Sequence, residues 1–265
     1  MPEAYRPQNS QEKKSGTSEK EEDFKSLHRG VWAEQLEHGQ SLPVGGNIFH
    51  DDLSIRLFLD FDYFDSQLGN FTEENIRNHY EKGKPEILKW LKDAGSDVDP
   101  YLFFQCFQIQ KKVHALLHVS DKADPLERNK LYSGNYLPRL SQTVGKSACA
   151  ERAAMGQYLF QKIGRESVYM SGITMADVAD GEEYPEDHSF LIINDPDKPN
   201  GTLVFDIARP HTFDMPRVLK TDRQLTYRLF EGQQELLAGA TETLSGTRKL
   251  WFGIGEPTAG THKTL

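Results

Sequence analysis

The segment Ser147–Arg165, SACAERAAMGQYLFQKIGR, constrains this chain more than any other. Its alanines and unbranched side chains favour helix. Ala153, Ala154, Tyr158, Leu159 and Ile163 supply an apolar face, and Gly164 fits a stop. That helix carries Cys149 in its first turn. There a thiol meets free backbone N–H groups and the positive end of the helix dipole, both of which favour the thiolate.

Beyond the helix the chain reads as strand. ESVYMSGI, HSFLIIN and TLVFDIA are rich in β-branched and aromatic residues. The last two are separated by the turn DPDKPNG, which predicts an antiparallel hairpin. The acidic stretch ADVADGEEYPED between the first two reads as an exposed loop. One helix followed by three strands is an α+β pattern.

Upstream, the spacing predicts helices. HRGVWAEQLEHG reads as a short helix ended by Gly39, SLPVGGN as a turn, and LSIRLFLDFDYF fits strand or helix equally. Thr72 caps a helix that stops at Gly83, and Pro85 opens a separate one. Pro100 opens a third, with Leu102, Phe103, Cys106, Ile109, Val113, Leu116 and Leu117 at helical spacing. Residues 121–146 read as loop. Residues 1–26 are Glu-, Lys-, Ser- and Gln-rich and are expected to be disordered. Past Pro210, YRLFEG reads as strand, QQELLAGA as a short helix, RKLWFGIG as a last strand and EPTAGTHKTL as a frayed tail. The expected division is a tail (1–26), a mainly helical N-terminal region (27–135), an α+β core (136–256) and a C-terminal tail (257–265).

Composition excludes several functions. A net charge of -9 and a pI of about 5.5 argue against nucleic-acid binding, which needs a basic face to displace counterions. No apolar run approaches the ~20 residues that span a bilayer, and the N-terminus has no apolar signal region. With only Cys106 and Cys149, the chain has no disulfide framework and no zinc ribbon, and free thiols suit the cytosol. Export by a signal-independent route is the alternative. No cofactor motif stands out. Gly145-Lys146-Ser147 ends like a P-loop but has Leu140 where that motif needs glycine. His114 and His118 lie one turn apart, with Ala115 where a zinc-protease helix needs glutamate. Asp60, Asp62 and Asp65 lack the remaining positions of a calcium loop. Cys106, within YLFFQCFQI, reads as a small core residue.

Cys149 is therefore the chemical group of interest, and two later residues can serve it. His188 opens one strand and Asp206 lies late in the next. An imidazole beside the thiol forms a thiolate–imidazolium pair, and an aspartate on the other ring nitrogen orients it. His211, after Pro210, competes with His188. Glu151 and Glu186 stand nearby in sequence, and an adjacent carboxylate raises a thiol pKa.

Cysteine at a helix start, histidine at a strand start and aspartate near the end of the following strand resembles the transglutaminase-like branch of the papain-like cysteine hydrolases. The similarity covers about 65 residues, Ser147 to His211, and rests on SACAERAAMGQYLFQKIGRESVYMSG, DHSFLII and VFDIARP. Two positions depart from that pattern: Ser147 stands where glycine is frequent, and Phe190 where tryptophan is. The spacing also fits arylamine acetyltransferase-like relatives, whose Arg-Gly-Gly-x-Cys run is absent.

The resemblance implies a papain-like or transglutaminase-like core, a helix packed on an antiparallel sheet. It also implies a Cys149–His188–Asp206 triad acting on an amide of a protein or peptide through a thioester. Water would give a peptidase or glutamine deamidase, and an amine a transglutaminase. The oxyanion would be held by backbone N–H groups near Cys149, with Gln142 as a side-chain candidate. The alternative is a non-catalytic protein-binding module on the same fold, or a delivered effector with an unstructured leader.

Overall fold

The computed structural model describes residues 29–33, 35–43, 56–93, 96–119, 125–133, 136–177, 183–194, 202–208, 215–221, 240–241, 250–251 and 254–257. The expected N-terminal tail, QQELLAGA up to Gly239, YRLFEG and the last eight residues lie outside these.

The molecule is α+β. Its helices are α1 (Asp62–Leu68), α2 (Glu73–Asp93), α3 (Pro100–Leu116), α4 (Pro125–Tyr132) and α5 (Cys149–Lys162), with a 3-10 turn at Leu140–Thr143. Strands β1 (Arg29–Ala33), β4 (Ser167–Asp177), β5 (Glu183–Asn194), β6 (Thr202–Asp206), β7 (Arg217–Thr221), β8 (Ala240–Thr241), β9 (Leu250–Trp251) and β10 (Ile254–Pro257) form an eight-stranded sheet. Its order is β10-β1-β4-β5-β6-β7-β8, with β9 also paired to β4. The β1–β10 pair is parallel and the rest are antiparallel. Strands β2 (Ser41–Pro43) and β3 (Arg56–Phe58) make a separate antiparallel pair. Among the described residues, no helix is long and apolar enough to cross a membrane.

Helix α5 is the centre of the core. Nearly every residue from Ala150 to Phe160 is buried, because it packs against α3 on one side and against β4 and β5 on the other. Phe160 meets Phe205 edge-on at 6.0 Å, and Tyr158 stacks on Phe61 at 4.3 Å. Gly156 lets the helix approach the sheet: a methyl there would sit 2.1 Å from Ile207 Cδ1 and 3.1 Å from Leu191 Cδ1. The helix ends as its sequence predicts. Gly164 takes a positive φ of 70°, and the Arg165 N–H turns back to the Phe160 carbonyl at 2.9 Å.

Several expectations are corrected. Glu256 and Pro257, read as the start of the C-terminal tail, belong to β10. HRGVWAEQLEHG is not helical: Arg29–Ala33 is a strand, registered so that Trp32 pairs with Met170. Its partners β4 and β10 lie far along the chain, so nothing local announces the pairing. SLPVGGN begins with β2, whose Leu42 is buried opposite Leu57. The expected break between Gly83 and Pro85 is absent. Helix α2 runs through both, because the buried residues before them, Ile76 and Tyr80, and after them, Ile87 and Leu91, lie on one face that packs on α3. Trp90 stacks on Phe103 at 4.6 Å and Tyr80 packs on Tyr101 and Phe104, which outweighs the hydrogen bond a mid-helix proline forfeits. Finally, the acidic loop is shorter than expected: β4 extends to Asp177 and β5 starts at Glu183, pairing in register through Pro185. Proline is tolerated there because, among the described residues, that part of β5 pairs with β4 alone.

Other expectations stand. Pro100 opens α3 as expected, and Asp99, which the sequence did not single out, caps it, its Oδ1 accepting the Leu102 N–H at 2.6 Å. Cys106 is fully buried, and burial pushes its thiol well above the usual range. LSIRLFLDFDYF resolves into β3 followed by α1. Asp60, Asp62 and Asp65 turn to different partners, Ser141, His38 and Lys162. One hydrophobic cluster runs from Leu36 to Val218, so residues on both sides of position 135 share a core.

Candidate active site

Cys149 is the first residue of α5, after Ala148 in extended conformation (φ -113°, ψ -158°). Alanine cannot cap the helix, so the carboxylate of Glu151 does so instead, its Oε2 accepting the Ala148 N–H at 2.9 Å. Glu151 is 0% exposed. It survives there because α4 supplies Arg128, whose Nε and Nη2 both lie 2.9 Å from Oε1, and Tyr132, whose hydroxyl donates to the same oxygen. Arg128 also lies over the Tyr132 ring, 4.7 Å from its centre. Burial opposes the guanidinium charge, and the adjacent Glu151 carboxylate more than restores it. Burial and the same carboxylate push the Tyr132 phenol far up, so it acts as a donor. The acidic neighbour that the sequence places beside Cys149 is thus matched by a guanidinium.

The histidine and aspartate come from the sheet. In β5, His188 pairs with Gly172 of β4. The β5–β6 register, Leu191 opposite Phe205, continues to place Asp206 opposite Phe190. Asp206 is then the diagonal neighbour of His188 on the same face. Their side chains meet: His188 Nε2 lies 2.9 Å from Asp206 Oδ2, and both residues are 2% exposed. A carboxylate only accepts, so Nε2 carries the proton and Nδ1 is turned to other work. Phe190 packs beside the imidazole with ring centres 6.2 Å apart.

The thiol and the imidazole act on each other. Burial would lower the His188 pKa. The Asp206 charge and hydrogen bond outweigh it, and a hydrogen-bond and charge interaction with Cys149 adds to them, raising it to about 10. The imidazolium form of His188 is thus favoured, with a carboxylate on one nitrogen and the sulfur beside it. Cys149 is partly open to solvent, whereas Cys106 is sealed in the core.

The structure thus brings Cys149, His188 and Asp206 together. Gln142 sits in the 3-10 turn with its carbonyl accepting the Arg139 N–H at 2.9 Å. Only its NH2 half could donate to an oxyanion. His211 and the side chain of Glu186 lie outside the described residues. Among the described residues, no three metal-ligating side chains gather.

Three residues around the site escape a reading of the sequence. Arg128 and Tyr132 sit in a segment read as loop, although Asp124-Pro125 is a helix-start signal. Arg152 is one turn past Cys149 on the same helix, a spacing that puts the two side by side. Their charges act on each other, and Arg152 also feels Asp206. No family model, curated protein or solved structure matches this chain.

Proposed function

We propose that this protein is a cysteine-dependent amide hydrolase or acyltransferase on a transglutaminase-like core, acting on a protein or peptide through Cys149, His188 and Asp206. The observation that carries the reading is the buried His188–Asp206 pair, 2.9 Å apart, beside a partly exposed thiol at a helix N-terminus. An oriented imidazolium and a helix dipole both stabilise a thiolate, which is the nucleophilic form.

The Cys149 sulfur attacks the amide carbonyl carbon, forming a C–S bond. The charge that gathers on the carbonyl oxygen is met by backbone N–H groups at the start of α5, with the Gln142 amide as a further donor. His188 passes its proton to the departing nitrogen as the C–N bond breaks, leaving a thioester. His188, now neutral, takes a proton from water or from a primary amine as that nucleophile attacks, and the thiolate leaves. Asp206 keeps the imidazole in one tautomer throughout.

The test is alkylation by iodoacetamide across pH, read at each cysteine by mass spectrometry. Cys149 should react faster than Cys106 at neutral pH, and His188→Ala should abolish that advantage. Equal, slow alkylation of both cysteines would overturn the reading and leave a binding module. Incubation with glutamine-containing peptides and a fluorescent primary amine then sorts the reactions. Cleaved peptide marks a peptidase, glutamate in place of glutamine a deamidase, and an amine adduct a transglutaminase. Each product should vanish in Cys149→Ala.

A further inference from the structure

We propose that Arg152 is a positioning residue of the Cys149 site, its guanidinium tying the backbone just before the nucleophile to the backbone just beyond Asp206. This rests on the catalytic reading of Cys149, His188 and Asp206. Arg152 Nη2 donates to the Ser147 carbonyl at 2.9 Å and Nε to the Ser147 hydroxyl at 3.4 Å. On its other edge, Nη1 donates to the Ala208 carbonyl at 3.4 Å. Ser147 is two residues ahead of Cys149, and Ala208 is two residues past Asp206. One rigid planar group therefore spans from the thiol's segment to the end of the strand that holds the triad's acid. A planar fork with five donors can bond two separate acceptors at fixed angles, which a lysine ammonium cannot reproduce.

The charge of this group matters as well as its shape. Among the described residues, Arg128 from α4, Arg152 from α5 and His188 from β5 act on the thiol, with Tyr132, Glu151 and Asp206 beside them. Arg128 is matched by Glu151, and His188 by Asp206. The described hydrogen bonds of Arg152 all go to neutral groups. Among the described residues, no carboxylate is hydrogen-bonded to it, and its charge interacts with Cys149 first and with Glu151 and Asp206 after it. Burial lowers its pKa, yet a guanidinium keeps its proton throughout the working range. Arg152 thus holds the sulfur against the imidazole while favouring its anionic form.

The test uses the full chain and iodoacetamide, a probe that needs no knowledge of the substrate. The rate–pH profile of Cys149 is compared for wild type, Arg152→Gln and Arg152→Lys, each checked for folding by circular dichroism. Arg152→Gln should move the midpoint up by about one pH unit, a roughly tenfold loss of thiolate on the acid side. Arg152→Lys restores the charge without the bridge and should recover only part of that shift. A wild-type profile in Arg152→Gln overturns the proposal, and so does full recovery in Arg152→Lys, which would assign the effect to charge alone. If the glutamine variant does not fold, the lysine variant alone decides, a wild-type profile overturning the bridge and a shifted one supporting it. A wild-type protein whose Cys149 is alkylated no faster than Cys106 is a different result: it removes the catalytic reading itself.

Discussion

His188 and Asp206 meet across the β5–β6 pair with 2.9 Å between Nε2 and Oδ2, each almost wholly shielded from water. Charges so placed are screened little, so each holds the other in its ionised form. The folded protein therefore binds the imidazole proton more tightly than the unfolded chain, whose histidines titrate near ~6.5. Stability from this source is fully present below that pH and is lost as pH rises toward about 10.

The expected outcome is a urea midpoint that falls between neutral pH and pH about 10. In Asp206→Asn the sign reverses. Burial then dominates, the His188 pKa drops below its ordinary value, and stability is lost on acidification instead. Urea denaturation of both proteins over this pH range checks the pair, and parallel profiles would contradict it.

Glu151 and Arg128 should be unequal partners. Arg128→Ala strands a fully buried carboxylate and should cost about 3–5 kcal/mol, the usual cost of breaking a buried pair from one side. Glu151→Gln keeps an acceptor for the Ala148 N–H and leaves Arg128, whose side chain is 20% exposed, with a route to water. Its cost should be smaller, about 1–3 kcal/mol. Chemical denaturation ranks the two, and the reverse order would contradict the pairing.

Gly156→Ala sets propensity against packing. Alanine in a helix interior is worth about 0.5–1 kcal/mol over glycine. Its methyl, however, would fall 2.1 Å from Ile207 Cδ1 in a close-packed core. Net destabilisation of about 1–3 kcal/mol is expected, and Ile207→Val, which lacks that Cδ1, should restore most of it. Ile207 adjoins Asp206, so the single variant should also slow alkylation of Cys149. A thermal unfolding series of the two singles and the double gives the coupling.

Gly83 and Pro85 lie within a continuous α2 and are not packed in the core. Pro85→Ala should stabilise the protein by about 1–2 kcal/mol, the recovered helical hydrogen bond outweighing the lost rigidity of the unfolded chain. Gly83→Ala, with nothing within 4 Å of the added methyl, should add about 0.5–1 kcal/mol. If the helix instead stopped at Gly83, with Pro85 in the first turn of a new one, Pro85→Ala would be neutral or destabilising. Urea denaturation separates the two cases.

Much of the site was legible along the chain because its elements are local. The alanine-rich run, the glycine stop and the apolar spacing of α5 depend on neighbours within a turn or two. The position of Cys149 in the first turn comes from them. The β-rich segments carrying His188 and Asp206 likewise announce themselves, as does the aromatic helix that buries Cys106.

The surroundings of the site were not legible. Arg128 reaches Glu151 from another helix, and Arg152 reaches Ala208 from 56 residues away. Strand β1 exists only because β4 and β10 are there to pair with it, and α2 ignores its own glycine and proline because α3 offers one continuous apolar face.

The sequence by itself determined the elements whose reasons lie within a few residues: helix α5 with its thiol at the start, α3 with its opening proline, and the strands that carry the histidine and aspartate. Only the tertiary structure decided the pairing of β1, the continuity of α2, the burial of the His188–Asp206 pair and the guanidiniums set around Cys149. The division has a physical cause. Propensities, caps and periodicity act over one or two turns, whereas desolvation, charge pairing and close packing depend on which distant segments the fold brings into contact.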